Sequence, residues 1–310
     1  MNKYSKNYLD KISSSKVYDV AIKSPITKAE SVSSQFSNNI FLKREDLQPT
    51  HSFKIRGAYN KISNLVEKEN AKHVVTASAG NHAQGVAYSA KSLKIRSTIF
   101  MPRTTPSIKV ESVKSYGAKT VLVGDNFDEA LEESLNFCKI KNLPFIHPFD
   151  DPFVIAGQGT IGKELLDQFD KKIDIIFIAV GGGGLISGIG AYVKTVNPKI
   201  KIVAVEAADA AGLNSSLKAN RRIKLKEVGL FADGAAAKQI GKHNYKLIKE
   251  WIDDSITVST DEICAAVKDT FIDTRTIPEP TGALALAGLK KYVINKKIKK
   301  AKSDSEEIPD

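Results

Sequence analysis

Two cysteines and five histidines in 310 residues leave little material for a disulfide framework or a metal centre. Cys138 and Cys264 lie far apart in sequence and form no CxxC pair, which fits a reducing compartment and two small buried hydrophobes. His51, His73, His82, His147 and His243 show neither HExxH nor any ligand-pair spacing. Glu206, Asp209 and Asp233 read as scattered surface acids, so no metal is expected. GxSxG is absent as well, which removes serine hydrolases of that type. No apolar run reaches the roughly 18 residues that span a membrane. The N-terminus MNKYSKNYLDKISSSK lacks the apolar core of a signal peptide, so a cytoplasmic chain without a membrane partner is expected. Negative charge is also scarce, at a formal net charge of +11. A basic run of Lys290, Lys291, Lys296, Lys297, Lys299, Lys300 and Lys302 encloses one aromatic, Tyr292, and so offers no stacking platform. The chain is rich in Lys, Ile and Asn throughout, and that bias accounts for the charge without a nucleic-acid partner.

What is present is the alternation of an α/β protein. Apolar, β-branched runs at 39–45, 73–79, 97–102, 119–124, 173–180 and 201–207 read as strands. Segments of helical period begin near Ser52, His82, Ser107, Asn126, Gly159, Leu185 and Asp261. The length exceeds one ordinary hydrophobic core, so two domains are expected. LPFIHPFDDPF at 143–153 breaks both periods and marks the internal boundary.

Three loops carry the chemistry. HSFKIRGAYNKI at 51–62 places Lys54 after Ser52, a candidate helix cap, where strand, turn and helix meet. A helix N-terminus disfavours extra positive charge, and a lysine of lowered pKa there is suited to forming an imine with an aldehyde. Taken alone, Lys54 reads first as a solvated helix residue, since most lysines are exposed. SAGNHAQG at 78–85 can turn backbone amides and the side chains of Ser78, Asn81 and His82 toward an anion such as a carboxylate; alternatively, Asn and His there are caps of a polar turn. GGGGL at 181–185 follows the most apolar strand, IDIIFIAV, and opens a helix whose amides can bind a phosphate. Together the loops describe a site for a phosphorylated aldehyde. A fourth string, GQGTIGKE, satisfies GxGxxG with Gly157, Gly159 and Gly162, and Lys163 nearly completes a Walker A loop. Glu164 stands where that loop needs Ser or Thr, and DDPFVIA is a poor strand lead-in, so a packed helix is the better reading.

KREDLQPTHSFKIRGAYNKI, TASAGNHAQGVAYSA, DPFVIAGQGTIGKEL, AVGGGGLISGIG, GLFADGAAAKQIG and PEPTGALALAGLKKY together resemble the threonine dehydratases (threonine ammonia-lyases), nearest their biosynthetic branch. The resemblance covers residues 20 to 293. It implies a fold type II pyridoxal-phosphate enzyme, tryptophan synthase beta-like, with two doubly wound α/β domains and the cofactor in the cleft between them. The large domain would comprise 1–47 and 148–310, the small one 48–147. Lys54 would be the Schiff-base lysine and the base that takes the Cα proton. Phe53 would pack by the ring, Asn81 would meet the ring oxygen, and Gly181, Gly182, Gly183, Gly184 and Leu185 would hold the phosphate. Ser78, Ala79, Gly80, Asn81 and His82 would receive the substrate.

The implied reaction is β-elimination of water from L-threonine, giving 2-oxobutanoate and ammonia and leading to isoleucine, in a dimer or tetramer. Relatives that make cysteine or cystathionine carry an acidic residue and Arg after the lysine, where this chain has Ile55 and Arg56. Racemases place a serine two positions before the loop asparagine, where this chain has Ala79. Serine is an alternative substrate, as in catabolic relatives, because the missing methyl is worth only about 1–3 kcal/mol in a pocket.

After Tyr292 the resemblance stops. That branch continues through a strand into a SGAN-like turn, whose serine meets the pyridine nitrogen, and then into an ACT-like regulatory domain. Here the chain reads VINKKIKKAKSDSEEIPD, in which Ser303 and Ser305 lie in a charged segment. The chain therefore reads as C-terminally truncated. The two readings are a dehydratase without feedback control and a catalytically silent remnant that binds cofactor or a partner chain.

Overall fold

The computed structural model describes residues 3–306, with side chains described from 7 to 296. Helix α1 (Lys3–Ser13) leads into a short antiparallel pair, β1 (Ile26–Lys28) and β2 (Phe41–Lys43), that encloses α2 (Glu30–Phe36). After α3 (Lys54–Glu69) come β3 (His73–Ala77), α4 (Asn81–Ser92), β4 (Arg96–Met101), α5 (Ser107–Ser115), β5 (Lys119–Leu122) and α6 (Phe127–Lys141). The remainder is α7 (Pro152–Gln168), β6 (Ile175–Ala179), α8 (Gly184–Val196), β7 (Lys201–Ala207), α9 (Gly212–Lys218), α10 (Lys242–Trp251), β8 (Asp254–Val258), α11 (Thr260–Thr274) and α12 (Pro280–Glu306). Two parallel sheets result, ordered β3-β4-β5 and β6-β7-β8, each formed by strand–helix–strand crossovers. The expected α/β class and all six expected strands are present.

The differences are local and have physical causes. Helix α7 begins at Pro152 rather than near Gly159. Asp151 accepts from the amides of Phe153 and Val154, and proline at the first helical position, where no N–H bond is needed, reads in sequence as a break. Ser52 does not cap α3: Phe53 occupies the cap position, and the Ser52 hydroxyl is buried without a partner among the described residues. Strand β8 went unseen because DSITV is polar; it lies at a sheet edge, where only one neighbour must be satisfied. Cys138 is buried as expected, but Cys264 is exposed on α11. Glu206 is no surface acid: it is buried at the end of β7 and accepts from the amides of Leu213 and Asn214 at 2.7 and 2.8 Å. Burial pushes its carboxyl up to about 7 against those two bonds.

The basic run proves to be partly structural. Lys290 pairs with Asp269, and Lys291 pairs with Glu262 at 2.9 Å, joining α12 to α11. The backbone of α12 continues as helix through Glu306, so no strand follows Tyr292 among the described residues. The side chains of Lys297, Lys299, Lys300, Lys302, Ser303 and Ser305 lie outside the described residues, as do residues 307–310. Among the described residues no helix is long and apolar enough to cross a membrane.

GQGTIGKE is a stretch of α7 clamped between α3 and α8. A Cβ on Gly157 would lie 2.6 Å from the Arg56 carbonyl oxygen and 2.7 Å from the Gly57 Cα, both backbone atoms that cannot step aside. From α8, a Cβ on Gly188 would lie 2.3 Å from the Ile155 oxygen. The glycines are spent on helix contact, not on a nucleotide. Gly157→Ala is therefore expected to lower the unfolding free energy by about 2 kcal/mol, read as a lower denaturant midpoint at unchanged slope. An unchanged midpoint would remove this account of the motif.

Candidate active site

Lys54 is the first residue of α3, and its surroundings follow from how that helix is anchored. Two residues on, Arg56 is fully buried and spreads its guanidinium over Glu45 (two contacts of 2.8 Å) and Glu164 (2.6 and 3.1 Å). Lys43 reaches the same Glu164 at 2.6 Å. Glu164, the residue that spoiled the Walker A match, is thus one end of a buried ion network that pins α3 to α7. The start of α3 is also held by packing, since Phe53 lies against the cluster of Ile186, Ile189 and Ile240, which Leu185 joins from α8. That shared core brings Lys54 and the glycine loop to one place.

The Lys54 side chain is partly buried, with its amine 5.4 Å from the centre of the Phe53 ring. Burial lowers its pKa from the usual 10.5 to about 8, with the negative charge of Glu279 opposing the shift. His82 and His147 are the nearby imidazoles. Both are lowered, chiefly by burial and further by the charge of Lys54, and His82 falls to about 3. They are neutral at physiological pH.

The 78–85 loop joins β3 to α4. The Ser78 amide bonds the Phe100 carbonyl at 3.1 Å, continuing the sheet, and its hydroxyl accepts from the Gly80 amide at 3.3 Å. Gly80 has nothing within 4 Å of where a Cβ would be, so the loop opens on free space there. Neither Asn81 nor His82 is the cap: Gly80 holds that position, without a side-chain cap bond. Asn81 donates instead to a Glu279 oxygen at 2.8 Å, and His82 bonds the Ile146 carbonyl through Nε2 at 3.0 Å. With Nε2 as donor, Nδ1 is left buried and without a partner among the described residues.

The 181–185 loop is built by close approach. A Cβ would lie 2.7 Å from the Ala235 oxygen at Gly181, 2.2 Å from the Phe149 ring at Gly182, and 3.0 Å from the Phe149 oxygen at Gly184. Gly183, at φ +94°, takes a left-handed conformation that side chains resist. Asn244 and the Gly241 amide tie down the Gly182 carbonyl at 2.9 and 3.0 Å. The first helical bond runs from the Ser187 amide to the Gly183 oxygen, leaving the amides of the first turn of α8 unbonded within the helix. The Ser187 hydroxyl there is buried and without a partner among the described residues. A cradle of amides without helical partners, an unused buried hydroxyl and a neutralisable lysine suit a phosphorylated aldehyde. Glycines that no side chain could replace make the cradle specific to this loop.

The family model described as "Pyridoxal-phosphate dependent enzyme" matches residues 17–303. The chain belongs to this family. Pyridoxal phosphate is the cofactor of the family, and the cradle and Lys54 amine fit its phosphate and aldehyde. The chain is 52% identical over 294 residues to a mitochondrial threonine dehydratase of Schizosaccharomyces pombe, a match covering 94% of this chain and 49% of that one. It spans about half the length of the curated relatives it matches. The structure of the processed form of threonine deaminase isoform 2 from Solanum lycopersicum superposes with a TM-score of 0.93 at 45% identity, covering 96% of this chain and 82% of that one. Maize serine racemase follows at 0.85 and 33%, covering 92% and 84%. The fold type II reading is thereby borne out.

Sequence reasoning overlooked Glu279. Its string, PEPTGALALAG, entered only as part of a resemblance, and nothing in the spacing said that a turn 198 residues beyond Asn81 would reach it. A lone glutamate between two prolines carries no signal of its own.

Proposed function

We propose that this chain deaminates L-threonine to 2-oxobutanoate and ammonia with pyridoxal phosphate, a reaction that feeds isoleucine synthesis. The observation that carries the reading is the Lys54 amine, drawn down to about 8 by burial at the start of a rigid helix. Such an amine is uncharged often enough near neutral pH to act as nucleophile and as base. When bound, the cofactor supplies an electron sink that makes the Cα proton of an amino acid removable and its β-hydroxyl expellable.

The chain's own residues supply the rest. Lys54 takes the Cα proton from one face while the β-hydroxyl leaves as water, and Phe53 packs beside it. Gly181 to Leu185 offer amides to the phosphate, and Asn81 a side-chain amide to the ring oxygen. Ser78 to His82 offer the substrate carboxylate the open side of their loop. Ala79 stands where a racemase-like site would need a second proton donor, so a proton leaves and is not returned on the opposite face. This separates the chain from the serine racemases it superposes on. The smaller unit would be 48–147 and the larger 1–47 with 148–310, with the cleft between their two sheets.

The test is direct. The purified 310-residue chain with pyridoxal phosphate is expected to form 2-oxobutanoate from L-threonine. One observation favours a second reading, a protein that binds cofactor without turnover. β6, the most apolar strand, stands at the edge of its sheet, with Ile175, Ile176 and Phe177 only partly buried. A strand of that composition is more at home with neighbours on both sides. Bound cofactor without ketoacid would support that reading and overturn the first.

A further inference from the structure

Between α9 and α10 the chain forms a short turn at 233–235 and otherwise runs irregularly, and its stretch 233–241 lies along the glycine loop. A Cβ on Gly181 would meet the Ala235 Cα at 2.8 Å, and one on Gly183 would meet the Ile240 side chain at 2.6 Å. The Gly241 amide holds the Gly182 carbonyl at 3.0 Å. This strap therefore walls the cradle at three successive glycines. Its own bonds around Ala235 are local: the Ala235, Ala236 and Ala237 amides reach the oxygens of Ala232, Asp233 and Ala235. Among the described residues no hydrogen bond joins Ala235 to Gly181, so their contact depends on what holds the strap from its far side. Two ion pairs do so. Asp233 meets Lys109 of α5, and Lys238 meets Asp128 of α6 at 2.9 Å. Both helices pack on the other sheet, β3-β4-β5. The pairs bracket Ala235, and each is partly exposed, so each is weak enough to open.

We infer that Lys109 and Asp128 are positioning residues for the phosphate cradle: from helices of the other sheet, their ion pairs with Asp233 and Lys238 seat the 233–241 strap against the glycine loop. Losing a pair lets the strap leave Gly181 part of the time. A phosphate that needs the seated strap then binds more weakly, in proportion to the seated fraction that is lost. The pairs act through backbone contact, whereas the lysine charges alone would attract a phosphate at a distance, and the two accounts give opposite signs for one substitution. The inference rests on the reading of 181–185 as a phosphate cradle and does not involve turnover.

The experiment titrates the full chain, freed of cofactor, with pyridoxal phosphate and with pyridoxal, which lacks the phosphate, and follows absorbance. Lys109→Glu and Asp233→Lys each set like charges against one another. Each is expected to weaken pyridoxal phosphate about fivefold and to leave pyridoxal within about twofold, and the swap that combines them should return to within about twofold of wild type. Asp233→Lys separates the two accounts, since a field acting at a distance would make that variant bind pyridoxal phosphate more tightly. Asp128→Lys, Lys238→Asp and their swap repeat the measurement at the second pair if a variant of the first does not melt cooperatively. Unchanged or tighter phosphate binding in Asp233→Lys, an equal loss for pyridoxal, or a swap that fails to recover overturns the inference. A wild type that prefers neither compound overturns the cradle reading and this inference with it. A wild type that prefers the phosphate, with variants that keep the preference, overturns this inference alone.

Discussion

Lys54→Ala is expected to reduce 2-oxobutanoate formation by about ten-thousand-fold or more, because one amine serves as both cofactor nucleophile and proton base. Stability should not fall with it. Removing a desolvated ammonium relieves a burial cost rather than breaking a bonded network, so the melting temperature is expected to hold or rise slightly. Lys54→Arg is expected to be as inactive, since a guanidinium neither deprotonates nor forms the bond. Initial rates beside thermal melts read both effects. A rate within tenfold of wild type in either variant would dismiss Lys54 from the chemistry.

Arg56→Leu is expected to be the most destabilising single change, at about 3–5 kcal/mol, because it strands the carboxylates of Glu45 and Glu164 inside the protein. Denaturant unfolding reads it directly. Arg56 has a raised pKa, with burial pulling down and the two glutamates more than compensating. Burial lowers Lys43 despite its contact with Glu164, so Arg56 is the partner that carries the pairing. Glu164 is pushed up by burial and brought below its usual range by Arg56 and then Lys43.

The sign follows from that depression. A carboxyl whose folded pKa lies below its unfolded one contributes stability above the unfolded value, and that contribution is lost as pH falls through the folded pKa. The stability gap between wild type and Glu164→Gln is therefore expected to be full at neutral pH and to shrink below about pH 4. A gap that stays constant down to acid would mean that Glu164 does not depend on its charge.

By itself the sequence determined the periodic elements and the three loops. Parallel strands buried on both faces write themselves as apolar runs, and a loop that must admit backbone donors writes itself as glycine, so both are visible before folding. Helix starts were legible near Asn126, whose side chain accepts from the Glu129 amide, and near Asp261, whereas the cap read at Ser52 was not one. Whatever depends on distant partners was not. Only the tertiary structure decided which helices the GxGxxG of α7 meets, that Glu164 serves Arg56, and that the most apolar strand stands at an edge. It alone brought Glu279 to Asn81 and supplied the burial that lowers Lys54. Those outcomes rest on which surfaces exclude water from which charges, and residues far apart in the chain supply them. Periodicity and spacing carry information about neighbours along the chain, whereas desolvation and charge pairing belong to neighbours in space.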